Sequence, residues 1–126
     1  MNLNQVTVPV SDLDRSVTFY NTLGLELIVY AHPHYARFMC PDGHTTFSLH
    51  LAEPAVSHGG IWLYFEVSDV DARVRELENL GIEFTSQPVD QTWLWREATL
   101  DDPDGNKLLI YRAGENRLNP PWRIKE

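Results

Sequence analysis

The 126-residue chain carries 18 Asp and Glu against 10 Lys and Arg, a formal net charge of −8. That balance argues against nucleic acid or an anionic membrane as a partner, because affinity for either rests on Lys and Arg. One cysteine, Cys40, excludes an internal disulfide, and no apolar run approaches the ~20 residues of a membrane span.

In chain order, residues 5–10 are short and β-branched and read as a strand, with Pro9 near its end where a lost ladder donor matters least. Ser11 and Asp14 have the spacing of a capping box, and Leu13, Val17 and Tyr20 recur at helical spacing before Gly24 stops the helix. Strands follow over 25–31, 35–40 and 45–51, with Pro41-Asp42-Gly43 as the turn between the last two. A linker over 52–60, containing Pro54, Gly59 and Gly60, leads into a strand over 61–67. The next helix opens on Ser68 and Asp71, carries the stripe Val70, Val74, Leu77 and Leu80, and ends at Gly81. Strands over 82–86, 93–100 and 107–112 complete the series, with Pro103-Asp104-Gly105 as the second turn. The tail, 113–126, holds Pro120-Pro121-Trp122 and is expected to pack back on the domain.

The two halves spell one plan. Pro9-Val10-Ser11-Asp12-Leu13-Asp14 returns as Glu66-Val67-Ser68-Asp69-Val70-Asp71, and Leu23-Gly24-Leu25-Glu26 as Leu80-Gly81-Ile82-Glu83. The offset is 57 residues at the helix-ending glycines (81 − 24) and 62 at the turn glycines (105 − 43), which places five extra residues around 87–92. The reading is a single α+β domain of two tandem β-α-β-β-β units, about 3–51 and 61–112.

Those two units, with SDxD opening each helix, LG closing it and DPDGNKLLIY in the last hairpin, resemble the vicinal oxygen chelate superfamily of glyoxalase I, bleomycin-resistance proteins and extradiol dioxygenases. The tail from Ala113 to Arg123 resembles that of a poorly characterised glyoxalase-like subgroup. The resemblance implies a curled mixed sheet around a central groove, usually completed by a homodimer. It also implies four metal-ligand positions, one on each unit's first strand and one on each unit's last. Here they fall on Gln5, Trp62, Ser48 and Leu109, and Trp and Leu can donate nothing to a divalent ion. No cofactor is therefore expected; a divalent ion, if bound, would be held by Gln5 and His50.

Strand alternation places Ser48 and His50 on the groove side with Gln5, and Tyr64, Glu66, Trp62, Leu109 and Tyr111 on the corresponding side of the second unit. His50 is either a ligand-contacting or acid-base group or a histidine bonded to a neighbouring strand. Glu66 is either a general base or a capping carboxylate. Trp93 and Trp95, read as one face of a strand, line an aromatic slot with Trp62 and Tyr111, or else form a dimer interface. Glu97 is the slot's acid or a partner for Arg37. His32, His34, His44 and His58 read as loop histidines, Asp101, Asp102 and Asp104 as turn aspartates, and Cys40 as a small buried hydrophobe.

Two functions follow, beside a third reading in which the Trp-rich strand serves assembly alone. The first is a metal-independent protein that binds a hydrophobic or aromatic small molecule, with the ligand-lining residues above. The second is a glyoxalase-like lyase or isomerase using His50, Glu66 or Glu97 in a rebuilt site. The N-terminus lacks the basic-then-apolar pattern of a signal peptide, so a cytoplasmic location is expected.

Overall fold

Each half of the sequence folds by the same rule: alternating strands bury one face under one amphipathic helix. In the computed structural model, which describes residues 1–52 and 61–124, the first half gives β1 (Gln5–Val10), α1 (Leu13–Leu23), β2 (Glu26–Ala31), β3 (Tyr35–Met39) and β4 (Thr46–Leu51). The second gives β5 (Trp62–Glu66), α2 (Val70–Asn79), β6 (Ser86–Asp90), β7 (Arg96–Asp101) and β8 (Lys107–Arg112), then a short 3-10 helix, Gly114–Arg117. The linker and His58 lie outside the described residues.

Each half has its own open four-stranded mixed sheet, ordered β1-β4-β3-β2 and β5-β8-β7-β6. The first strand of each half pairs parallel with the last, and the other pairings are antiparallel. Pro9 and Pro88 both fall on edge strands, where a missing N–H costs no ladder bond.

In the first unit Val8, Val10, Ala36, Phe38, Phe47 and Leu49 point to Leu13, Val17, Tyr20 and Leu23 of α1, and all are buried. In the second, Ala98, Leu100, Leu108 and Ile110 play that part beneath Val70, Val74 and Leu77. Leu80, expected to extend the stripe, is instead the exposed residue that caps the helix end.

Both helix starts are shifted one residue from the expected caps. Asp12 and Asp69 are the N-caps, accepting from the backbone N–H of Arg15 and Ala72 at 3.0 Å each. Ser11 is engaged elsewhere: its backbone N–H donates to Asp104 at 3.0 Å and its hydroxyl also bonds Asp104. The turn Asp102–Gly105 belongs to the first compact unit although β7 and β8 belong to the second. Asp102 is buried there, accepting from Tyr20 OH at 2.6 Å and from the Asp104 N–H at 2.9 Å. Of the three expected turn aspartates, Asp102 makes the turn bond and also holds Tyr20, Asp104 bonds the start of α1, and Asp101 is the last residue of β7.

The second unit's strands depart from the sequence reading. Residues 82–85 are not a strand; Ile82 is buried at the helix end, its N–H bonded to the Leu77 carbonyl at 3.0 Å. β7 begins at Arg96, so Trp93 and Trp95 lie in the β6–β7 hairpin rather than on a strand. There the N–H of Leu94 donates to Gln91 O at 3.0 Å, the N–H of Gln91 donates to Trp95 O at 2.8 Å, and Leu94 sits at φ +69°. This is a turn followed by a left-handed residue, a common way to close a hairpin, with leucine where glycine is usual. The five extra residues are located by register. Paired positions Ala31 and Tyr35 are four apart, but Val89 and Glu97 are eight apart, and a bulge between Ser86 and Val89 supplies the fifth.

Of the tail, Ala113 is buried and the 3-10 helix is bonded to the sheet, whereas Leu118, Trp122 and Ile124 are exposed. Packing back therefore ends at the 3-10 helix among the described residues.

Candidate functional site

The sheet faces turned away from the helices carry the unusual side chains, and each unit has its own set. In the first, β1, β4 and β3 bring together Gln5, Thr7, Ser48, Tyr35 and Arg37 through the pairings Thr7↔Ser48 and Arg37↔Ser48. Gln5 Nε2 donates to Ser48 Oγ at 2.9 Å and to Thr7 Oγ1 at 3.0 Å, while its Oε1 accepts from the Thr46 hydroxyl. Ser48 Oγ and Tyr35 OH share a bond of 2.7 Å, and Arg37 Nε donates to Tyr35 OH at 2.9 Å. The bond from Ser48 lowers the Tyr35 pKa more than burial raises it, and Arg37 lowers it further. His50 pairs with Tyr35 across the ladder and is exposed.

In the second unit the same positions are aromatic. The register sets Trp62 against Lys107, Tyr64 against Leu109, and Glu66 and Glu97 against Tyr111. Tyr64, Trp95 and Tyr111 contact one another with ring centroids 5.0–5.9 Å apart, two of the three pairs edge-to-face. Trp95 Nε1 donates to the Asn116 carbonyl at 3.3 Å, so the 3-10 helix braces the cluster. Trp62, 53% exposed, lies beneath the Lys107 ammonium at 4.1 Å.

The two carboxylates of this face differ. Glu97 is 5% exposed, and the indole N–H of Trp93 donates to it at 2.9 Å. Burial raises the pKa of Tyr64, and Glu97 adds to it; burial likewise raises Tyr111, with Glu66 the next contributor. Both phenols are therefore neutral donors near neutral pH. Glu66 is pushed up by burial but pulled down more by the N–H groups of Ala113 and Gly114, at 2.8 and 2.9 Å, and by Arg117 and Arg112. Its net pKa is lowered, and it anchors the start of the 3-10 helix.

The remaining sequence candidates are placed as follows. The His32 ring bonds Asp14 at 3.1 Å beside Tyr30, and His44 is exposed. Cys40 is half-buried, its pKa raised by burial and then by Asp42. Arg37 is partnered by Tyr35 and Glu97 by Trp93, each within its own unit. Arg96, facing the helix side, is bonded to Asp71 and Asp90 at 2.8 and 3.0 Å. Tyr35 and Arg37 are the functional candidates that sequence reasoning missed; strand alternation with Ser48 was the signal that could have found them.

Of the four residues that the resemblance sets at metal-ligand positions, Gln5 and Ser48 are bonded to each other, Trp62 stacks with Lys107, and Leu109 is buried. An indole ring and an alkyl side chain offer no lone pair to a divalent ion, so this donor set does not fit the ion. Among the described residues no three His, Cys, Asp or Glu side chains gather closely enough to hold a metal. Among the described residues, too, no helix is long and apolar enough to cross a membrane.

Two β-α-β-β-β units, each presenting its non-helix face with a central last strand, define a paired-repeat α+β protein. The family model described as Glyoxalase/Bleomycin resistance protein/Dioxygenase superfamily matches residues 2–110, and the chain belongs to that superfamily. An uncharacterized protein of Mycolicibacterium smegmatis is 33% identical over 112 residues, covering 86% of this chain and 91% of its own. The crystal structure of a glyoxalase/bleomycin resistance protein/dioxygenase from Nocardioides matches with TM-score 0.79 and 23% identity, over 99% of this chain and 90% of that one. Lactoylglutathione lyase from Agrobacterium tumefaciens matches with TM-score 0.74 and 19% identity, over 98% and 97%. At these identities the two structures share the fold alone.

Proposed function

We propose that this member of the superfamily binds a flat hydrophobic or aromatic small molecule without the family's divalent ion. The observation that carries the proposal is the aromatic face of the second unit. Tyr64 stands edge-on to both Trp95 and Tyr111, and Trp62 and Trp93 are exposed. Rigid aromatic walls with a few polar groups are what a small-molecule site offers, and each edge or face contact adds about 0.5–1.5 kcal/mol beyond area burial.

Loss of donors at Trp62 and Leu109 supports binding over a lyase or isomerase reaction, since a positioned cation is the largest electrostatic aid to enediolate chemistry. Glu66 is poorly placed as a base while one of its oxygens accepts two backbone N–H groups. A homodimer is part of the proposal, supported by the exposed apolar residues Ile28, Val29, Leu118 and Trp122.

The test is a titration of the protein with 1-naphthol and its saturated counterpart decahydronaphthol, read by tryptophan fluorescence and ligand-observed NMR. Naphthol is expected to bind saturably and the saturated alcohol more weakly, with Trp95→Ala reducing naphthol affinity roughly tenfold, about 1.4 kcal/mol. Equal affinity for both compounds, or for wild type and variant, contradicts the proposal.

A further inference from the structure

The first unit's face is chemically opposite to the second's: amide, hydroxyls and a guanidinium in place of rings. Arg15, Arg73, Arg96 and Arg117 are ion-paired with carboxylates. Arg37 is half-buried at the centre of its sheet, yet among the described residues its partner is the Tyr35 hydroxyl, reached through Nε alone. In a chain of net charge −8, a half-buried guanidinium without a carboxylate is conspicuous.

Proton counting sharpens the point. Tyr35 OH already accepts from Arg37 Nε, and Ser48 Oγ already accepts from Gln5 Nε2. The two hydroxyls bring two protons to the single bond between them. One O–H is therefore unspent. Ser48 is fully buried and Tyr35 only partly, so the arrangement that satisfies the buried group has Ser48 donating to Tyr35. The phenol proton is then left for a ligand, on the same oxygen that accepts from Arg37 Nε. A phenol O–H and a guanidinium edge, side by side and held from behind by Ser48 and Gln5, suit a planar anion that accepts two charge-assisted bonds.

We propose that Arg37 and Tyr35, braced by Ser48 and Gln5, form a binding site for the carboxylate of a small organic molecule. The site stands on the first unit's face alone and does not rest on the aromatic reading of the second.

The experiment titrates 15N-labelled protein with sodium acetate and, separately, with acetamide, at ionic strength held constant by sodium chloride. The readout is the arginine Nε–Hε region together with the backbone amides of 35–37 and 48. Acetate is expected to shift the Arg37 signal saturably while acetamide leaves it in place. Arg37→Gln removes the saturable response at the amides. Tyr35→Phe, which leaves the guanidinium, weakens acetate roughly tenfold to a hundredfold, the worth of one charge-assisted bond. The wild-type comparison of acetate with acetamide stands even if a variant folds poorly, which its amide spectrum would reveal. An equal response to acetate and acetamide, no saturation at Arg37, or unchanged acetate affinity in Arg37→Gln overturns the site. Unchanged affinity in Tyr35→Phe overturns the built pair.

Discussion

Replacing Tyr20 with Phe deletes one hydroxyl from the best-packed part of the first unit. The ring keeps its neighbours Phe38 and Phe47, at centroid distances of 6.0 and 4.7 Å, and what disappears is the 2.6 Å bond to buried Asp102. A hydrogen bond to a charged group is worth about 1.5–3 kcal/mol, so Tyr20→Phe should lose about that much at pH 7. The loss should depend on pH in a definite direction. Burial, and then the charge of Asp102, raise the Tyr20 pKa far above its ordinary 10.0. A raised folded-state pKa means the contribution is complete below the unfolded value and drains away as pH climbs past it. Urea denaturation from pH 7 to 11 should therefore show wild type losing stability faster than the variant above roughly pH 10, approaching about 1.4 kcal/mol per pH unit. The two curves converge at alkaline pH. A gap that is constant with pH, or absent at pH 7, would refute the account of Tyr20 and Asp102 as one buried bonded pair.

The other predictions are local. Glu66→Ala should speed amide exchange at Ala113 and Gly114 and loosen residues 114–117; because the Glu66 pKa is lowered, protection there in wild type should persist above the ordinary carboxylate pKa of 4.5 and fall as pH drops below it. Leu94→Gly should keep or raise stability by up to ~1 kcal/mol in thermal unfolding, since relief at φ +69° outweighs the entropy glycine adds. Asp104→Ala should lower the melting temperature, and exchange should rise at Ser11, whose N–H donates to it. Loss of protection confined to 102–105 would contradict that.

The repeat was legible because it is written in short-range signals: cap, apolar stripe, terminating glycine and turn, each set by neighbours in sequence. Errors arose where distant residues decided. Both Ser and Asp make good N-caps, and what frees Asp12 for the part is Asp104, some ninety residues away, engaging Ser11. Trp-Leu-Trp alternation imitates a strand, but the hairpin closes through a leucine in the left-handed region, a conformation leucine does not advertise. Of the rings expected beside them, Trp95 meets Tyr111, and Tyr64 with it, while Trp93 bonds Glu97. In the site, face assignment by alternation worked for Gln5, Ser48, Tyr64 and Tyr111. For Glu66 the capping-carboxylate alternative is the one found, with backbone groups of the tail as partners that the sequence could not name. The Tyr35–Arg37 pair was hidden among ordinary strand residues until the register set it beside Ser48.

The central claim is that small-molecule binding here dispenses with the family's ion, and native mass spectrometry tests it most directly. Purified protein, before and after incubation with Ni2+, Zn2+ or Mn2+, is predicted to keep its metal-free mass under gentle ionisation and to take up naphthol in that state. One tightly held divalent ion per chain, lost on Gln5→Ala and needed for naphthol to bind, would contradict the account.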